Sequence, residues 1–412
     1  MTMNSHARGS SRRRFMATAG AASLALAAPA IVRAQRKTIK VSVGRQPWAA
    51  GNSPVTQYMI ANKTFEKYAA DAGYDLTADY RDYPSALPMV EAFVSGNLDL
   101  GMWGNTPIVR LVAQNQPIQL LSVGEGHFRF VLATRKDSPI RNLADLKGKT
   151  VGALLGGDPY NVLSQWLRFE LGNPDPRAFN ITVINTPTQA QAATIPSGMD
   201  AAVLIYPAFL KANAEIGTVG IMNSFGYTES HYKGPAGEGA GILLPSVKKS
   251  PFYPDGYYLH RSFWIGTQKL VKDDPAIVTA FLQAQQDAVA KLATMDPGAV
   301  SDLSRKYWEL PPELGAKVVG DEVLFKRGWC WPTEGDALAL LETSKFMVEG
   351  RMIPKPLAWA QVRDAFTQAA PAVRAAYDKS GRKPDAAQFE SSQATDLRGA
   401  PVWEMQRWRE HS

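Results

Sequence analysis

The strongest constraint on the fold is a regular alternation of short apolar strands with amphipathic helices, which begins at Thr38. Extended segments end at a glycine or a polar turn, and segments with the 3.6-residue period of a helix follow them. In chain order the segments are TIKVSVG, YMIANKTFEKYAADAG, YDLTADYRDY, ALPMVEAFVSG, LDLGMW, TPIVRLVAQNQP and IQLLSVG. Strands that alternate with helices predict a mostly parallel sheet with helices on both faces.

A second series of the same kind predicts a second sheet. Its segments are FRFVLATRK, NLADLKGKTVGALL, YNVLSQWLRFELG, ITVINT, TQAQAATIPSG and MDAAVLIYP. SFWIGTQKLV then predicts a strand that returns to the first sheet, and the chain beyond Asp274 is mainly helical. A chain of 412 residues is too long for one core. We therefore predict an α/β protein of two lobes with a hinge and a cleft between them, plus C-terminal helices. The predicted boundaries are 37–133 with 262–370 for lobe 1, 134–261 for lobe 2 and 371–412 for a peripheral tail.

Residues 1–34 have the features of an export signal. A positive start containing SRRRFM precedes an Ala/Leu-rich middle and a small residue, Ala34. The arginines resemble a twin-arginine signal, and an ordinary Sec signal is the alternative. Removal of this segment takes away five arginines and no acid, so the net charge falls from +7 to +2. We expect an exported, periplasmic protein without affinity for nucleic acid.

Three stretches resemble a known family. They are LPMVEAFVSGNLDLGMWGNTPIVRLVAQNQPIQLLSV, VLATRKDSPIRNLADLKGKTVGALLGGDPYNVLSQWL and SFWIGTQKLVKDDPAIVTAFLQA. They are similar to the substrate-binding proteins of ABC importers for nitrate, taurine and aliphatic sulfonates, a group that includes thiamine-precursor binders. The resemblance covers about 38–212 and 260–350. It implies a type II periplasmic-binding-protein fold, a ligand in the cleft, hinge closure and docking of the closed form on the inner-membrane permease.

Ligands of parallel α/β sheets bind beyond the carboxyl ends of the strands, where helix N-termini favour anions. The first such corner is Arg45, Gln46 and Trp48, after KVSVG. Arg45 is predicted to pair with a carboxylate, sulfonate or phosphate, and Trp48 to wall the site. The alternative is a solvent-facing arginine beside a tryptophan packed on the rim.

The second corner is the abrupt strand-to-helix turn of MWGNTP. Gly104 allows close approach of a ligand to the backbone, and Asn105 and Thr106 offer side-chain and N–H groups at the helix start. Trp103 is predicted to supply a stacking face. The alternative is a helix cap with Trp103 in the core.

The third corner is the GGDPYN stretch, from which Gly157, Asp158, Tyr160 and Asn161 are predicted ligand contacts. Relatives in the resembled family often have serines here, and Asp158 would repel a small oxyanion such as nitrate. The fourth corner contains Tyr206, where many relatives have an acid that faces a cationic group. Together these residue types predict a larger organic anion, a sulfonate or carboxylate, with aromatic acids included.

The sequence predicts a binding protein and no enzyme, cofactor or metal site. It contains no paired-histidine metal motif, and Cys330 lies between two tryptophans, which predicts a buried cysteine. Two alternatives stay open: an enzyme similar to thiamine-pyrimidine synthase, and a protein that presents ligand to a sensor. We expect a monomer. The 226–260 segment is a candidate cover for the cleft, or a surface excursion.

Overall fold

The computed structural model describes residues 36–126, 128–186, 195–224, 261–385 and 401–404. Within these residues, ten strands form two five-stranded sheets. The first sheet has the order β2-β1-β3-β10-β4, and the second has the order β7-β6-β8-β5-β9. The strands are β1 (Lys37–Arg45), β2 (Tyr74–Asp82), β3 (Leu100–Gly104), β4 (Ile118–Glu125), β5 (Phe130–Thr134), β6 (Thr150–Ala153), β7 (Thr182–Asn185), β8 (Ala201–Ile205), β9 (Val219–Asn223) and β10 (Ser262–Thr267).

Helices follow most strands and cover the sheets. Those before β10 are α1 (Asn52–Asn62), α2 (Thr64–Asp71), α3 (Ala86–Val94), α4 (Asn105–Ala113), α5 (Asp158–Leu171) and α6 (Tyr206–Ile216). Those after β10 are α7 (Gln268–Asp273), α8 (Pro275–Leu292), α9 (Pro297–Asp302), α10 (Arg305–Trp308), α11 (Pro312–Asp321), α12 (Val323–Arg327), α13 (Glu334–Glu349), α14 (Trp359–Thr367) and α15 (Ala370–Lys379). The predicted first helix is broken at Lys63, whose φ of 48° ends α1 and precedes α2.

Both sheets are mixed, whereas the sequence predicts mostly parallel ones. β1 pairs with β3 in parallel, and β6 pairs with β7 and β8 in parallel. β10 is antiparallel to β3 and β4, and β5 is antiparallel to β8 and β9. β5 follows β4 without a crossover helix. Because β5 passes directly from the first sheet to the second, it enters the second sheet at the edge where β8 and β9 end. It therefore runs antiparallel to these two neighbours.

The chain changes sheets before Phe130, since all of β5 lies in the second sheet. This crossing lies slightly before the predicted boundary at 133. We call the first sheet with its helices lobe 1 and the second sheet with α5 and α6 lobe 2. The division into lobes with exact boundaries stays a prediction.

Part of the predicted tail packs in the core. Val373 and Ala376 of α15 are fully buried, and the Tyr377 ring lies 4.7 Å from that of Trp403. The sequence predicts a peripheral tail here because the region is polar overall. The buried face of α15 consists mainly of alanines, which give only a weak apolar signal. Residues 386–400 and 405–412 lie outside the described part.

Three other predictions concern residues outside the described ranges: the export signal, the helix TQAQAATIPSG over most of its length, and the 226–260 segment. Across the ranges that are described, no helix is both long and apolar enough to span a bilayer. Cys330 is fully buried, as its flanking tryptophans predict, and burial raises the pKa of its thiol.

Candidate ligand-binding site

The strand-end corners of the two lobes meet at Thr106 and Asp158. The Asp158 carboxylate accepts a hydrogen bond from the Thr106 backbone N–H at 2.8 Å, and the Asn161 amide donates to the Thr106 hydroxyl at 2.9 Å. Thr106 is in the first turn of α4, and Asp158 is the first residue of α5. One buried carboxylate thus lies at the positive ends of two helices, which stabilises its charge.

Gly104 makes this contact possible. A Cβ atom at this position would overlap the carboxylate of Asp158. The sequence predicts that Gly104 admits a ligand to the backbone, and in this structure the group it admits is a side chain of the protein itself. Asn105 is buried at the same corner.

The turn before α5 brings lobe 2 against α4. The Gly157 N–H donates to the Leu154 carbonyl at 3.2 Å, and Gly156 has a φ of +79°. A turn with positive φ at its third residue favours glycine there. A Cβ atom on Gly156 would lie 2.7 Å from Nη1 of Arg110, so the guanidinium of α4 rests on this turn.

Arg110 and Tyr160 form a charged and polar rim beside the turn. Burial lowers the pKa of Arg110, and the two side chains interact electrostatically. The Arg110 Nε atom is buried without a hydrogen-bond partner among the residues described. Burial also raises the pKa of Tyr160, so its hydroxyl stays protonated at neutral pH.

Arg45 is buried and bound by protein groups. Its Nε donates to Asp82 at 2.6 Å and its Nη2 to the Tyr307 hydroxyl at 2.7 Å, with Thr56 at 3.3 Å from Nη1. The structure therefore uses Arg45 to fasten β1 to β2 and to the C-terminal helices. This arrangement differs from both predictions for the corner, the anion partner and the solvent-facing arginine. Neither prediction could include Asp82 and Tyr307, because these partners are distant from Arg45 in sequence.

Trp103 and Trp48, the two tryptophans predicted to line the ligand site, differ in burial. Trp103 is fully buried, with its ring against Gly101 and edge-on to Phe93 at 5.2 Å between centroids. Residues 101 and 103 share a face of β3, so the ring lies in the core and is not a stacking face beyond the strand end. Trp48 is half-buried, and its ring meets Tyr307 edge-on at 6.5 Å. Gln46 donates to the Met102 carbonyl at 2.9 Å, which joins the first corner to the second.

Tyr206 is also fully buried. The Arg129 guanidinium lies 4.4 Å from its ring centroid, and its hydroxyl is 3.4 Å from Asp321. Although burial opposes it, the charges of Arg129 and Lys317 hold the pKa of Asp321 below its usual range. Tyr206 thus joins lobe 2 to α11, where the sequence predicts a ligand contact.

A pair of buried acids lies where β4 ends. Glu125 accepts from the Ala50 N–H at 3.1 Å, and Glu322 accepts from Gly126 at 2.7 Å and from Leu324 at 3.0 Å. Both side chains contact the space beside Gly51, the N-cap of α1. Burial and the charge of Glu322 raise the pKa of Glu125 well above 4.5.

Several buried polar atoms around the corners have no hydrogen-bond partner among the described residues. They are Trp48 Nε1, both amide atoms of Asn52 and Asn161 Oδ1. Buried polar groups in native proteins are generally paired, so these atoms are available to a ligand or a water molecule. Both donors and acceptors occur in the set.

Sequence reasoning missed Arg110, Asn52, Glu125 and Glu322. Arg110 had a usable signal, because it follows Thr106 by one helical turn and interrupts an apolar helix. Glu125 also stands at a strand end. Glu322 and the partners of Arg45 had no signal in the sequence, because their positions depend on the packing of the C-terminal helices.

The described residues include no group of three or more metal-ligating side chains. Two surface pockets open around Gln116 and Pro117, beyond the C-terminal end of α4. They lie away from the strand-end corners.

The arrangement of two mixed α/β sheets is the fold of periplasmic binding proteins, which solved structures confirm. The alkanesulfonate-binding protein SsuA from Xanthomonas axonopodis pv. citri, bound to MOPS, matches with a TM-score of 0.59 at 17% identity, over 82% of this chain and 98% of SsuA. The periplasmic nitrate-binding protein NrtA from Synechocystis PCC 6803 matches with a TM-score of 0.56 at 12% identity, over 92% of this chain and 99% of NrtA. These likenesses show the fold.

Residues 52–204 match the family model described as ABC transporter, phosphonate, periplasmic substrate-binding protein. The predicted resemblance to substrate-binding proteins of ABC importers is therefore confirmed. No curated protein matches the sequence. The fold is also that of an enzyme, since the desulfurization enzyme DSZB matches with a TM-score of 0.50 at 17% identity, over 82% of this chain and 99% of DSZB.

Proposed function

We propose that the protein is the solute receptor of an ABC uptake system and that it captures a small organic anion. The family match of residues 52–204 and the fold support a receptor of this type. A carboxylate, sulfonate or phosphonate is the proposed ligand class, aromatic acids included. Closure of the two lobes would hold the ligand and present it to an inner-membrane permease.

The observation that carries the proposal is the set of buried polar atoms at the meeting corners that lack partners among the described residues. Asn52 and Asn161 are nearly or fully buried, yet each has at least one amide atom without a partner there. Leaving such a group unpaired costs about 1–3 kcal/mol. A ligand with oxygen acceptors and a donor group would satisfy them.

Delivery to a permease requires export, so we also propose a periplasmic location reached by the twin-arginine pathway. The protein would act as a monomer. A fusion of residues 1–34 to a reporter that folds in the cytoplasm tests the pathway, because only twin-arginine export moves folded cargo. Retention of the reporter in the cytoplasm would contradict it.

Native mass spectrometry of freshly purified protein, followed by calorimetric titration, tests the ligand class. The titration panel would contain benzoate, benzenesulfonate, MOPS, methylphosphonate, taurine and nitrate. We expect one or more of the organic anions to bind and nitrate to bind weakly or not at all. A co-purified amine or neutral compound, together with no heat from any anion, would refute the proposal.

A catalytic role has little support in the described residues. The only cysteine is fully buried, and burial raises the pKa of its thiol, so it is not a nucleophile. A thiamine-pyrimidine-synthase-like enzyme or a sensor protein remains the alternative if no permease interaction can be measured.

A further inference from the structure

Three buried arginines near the strand ends are already neutralised. Arg45 pairs with Asp82 at 2.6 Å, Arg261 with Asp336 at 2.9 Å, and Arg129 lies 3.4 Å from Asp321. The N-terminus of α4 is likewise occupied by Asp158. An anionic ligand therefore needs a different positive partner.

Arg110 differs from these three arginines. Its side chain has no hydrogen bond, ion pair or ring contact within the part of the chain that the structure describes, although its Nε is buried. It lies one helical turn after Thr106, about 6 Å along α4, and on the same face. The guanidinium rests on the Gly156 turn of lobe 2, where a glycine Cα leaves room for it.

The environment of Arg110 is costly for an unpaired cation. Burial lowers the pKa of its guanidinium, which reflects lost hydration without a compensating acid. Tyr160 interacts electrostatically with Arg110; its phenol is also influenced by Asp175 and Arg177 and is a neutral donor at physiological pH. A guanidinium fork beside a hydroxyl donor matches the oxygens of a carboxylate, sulfonate or phosphonate.

We propose that Arg110 is the residue that pairs with the anionic group of the ligand, at the rim between α4 and the Leu154–Gly157 turn, with the Tyr160 hydroxyl as a second donor. This inference rests on the proposed receptor function and names the charged contact of that function. The remainder of the ligand extends one helical turn inward, toward Asn161. Because the turn belongs to lobe 2 and Arg110 to lobe 1, an anion held there contacts both lobes.

The test compares Arg110→Gln with Arg374→Gln, which removes the same charge from an exposed ion pair with Asp378 within α15. Calorimetric titration would use the tightest-binding anion of the benzoate, benzenesulfonate, MOPS and methylphosphonate set. We expect Arg110→Gln to weaken binding about 10- to 100-fold, as loss of a charge-assisted hydrogen bond does. Arg374→Gln should bind like the wild type, and Arg110→Lys should recover part of the loss.

Thermal unfolding without ligand separates binding from folding. Because the Arg110 side chain has no hydrogen bond or ion pair among the described residues, Arg110→Gln should unfold at the wild-type temperature or above it, which a structural arginine would not. Equal affinity of wild type, Arg110→Gln and Arg374→Gln would overturn the inference and leave the receptor function standing. Failure of the wild type to bind any of the four anions would overturn both.

Discussion

Asp158 occupies the N-terminus of α4, a place that favours negative charge. Its carboxylate is held by the α4 N-terminus and also stands in the first turn of α5. The side chain is therefore both a structural cap and an electrostatic barrier to an anionic ligand.

We expect Asp158→Asn to lower the stability of the ligand-free protein by about 1 kcal/mol, since a charge at two helix N-termini is lost. The same change should tighten binding of an anion, because a repulsive charge is removed. Chemical denaturation and calorimetric titration measure the two effects. Asp364→Asn, at an exposed site on α14, is the control. Unchanged values for Asp158→Asn in both measurements would contradict the assignment.

Glu125 provides a pH-dependent test. Burial and Glu322 raise its pKa well above 4.5, so the folded protein keeps a proton that the unfolded chain releases. The free energy of unfolding contributed by this group therefore falls as the pH rises from about 4.5 through the raised pKa, and is level above it. Glu125→Gln cannot ionise, so it should gain stability relative to the wild type over that window.

Unfolding temperatures of both proteins at a series of pH values measure this effect. Glu342→Gln, which changes an exposed acid on α13, should run parallel to the wild type. If the unfolding temperature of Glu125→Gln also changes with pH in parallel with that of the wild type, the pair of Glu125 and Glu322 does not hold the proton.

Single residues mark the limit of prediction from the sequence. Gly104, Thr106, Asp158 and Asn161 could be placed at a strand end and at two helix starts, because these are local features. The burial of Trp103 follows from its face of β3 and the absent side chain of Gly101. The pairing of Arg45 could not be predicted, since its partner Tyr307 comes from a helix far along the chain.

At the scale of elements, the Gly156 turn of lobe 2 lies against the Arg110 side chain of α4. Alanine at this position would adopt a left-handed conformation and push against Arg110. We expect Gly156→Ala to cost about 1–2 kcal/mol of stability and also to weaken anion binding. Thermal unfolding and titration measure these separately.

Gly148→Ala is a matched control for Gly156→Ala. Gly148 has a φ of +74°, and a Cβ atom added to it would have no described atom within 4 Å, so it shares the backbone strain without the contact to Arg110. Its stability loss should be similar and its affinity unchanged. Equal affinities of the two variants would show that the turn does not position the arginine.

Helices and strands could be predicted where the apolar residues recur with a clear period and a glycine or polar turn ends the element. The direction of β5 and β10 was not, because it depends on the way the chain crosses between the sheets. The helix α15 was also missed, since alanine-rich faces carry a weak apolar signal.

For the whole molecule, side chains of the two lobes contact each other directly. Thr106 binds Asp158 and Asn161, and Arg168 pairs with Glu349 at 2.9 Å. We therefore expect the ligand-free protein to populate a closed arrangement. Spin labels on cysteines at Val94 and Ile184, both exposed and on different lobes, would report the distance.

The expected distribution is narrow in the parent and broader after Asn161→Ala, which removes one contact between lobes. The native cysteine is buried and should not take a label. A broad distribution in the parent, sharpened only by an added anion, would contradict closure without ligand.

The contact between Asp158 and the Thr106 N–H also has a kinetic consequence. If this corner is closed by the protein itself, a solute can enter only after the lobes separate, and each encounter must wait for that opening. In stopped-flow mixing, the observed rate would then level off at high solute concentration at the rate of opening, instead of rising in proportion to it. The carboxylate would set the rate at which a solute binds as well as the selectivity of binding.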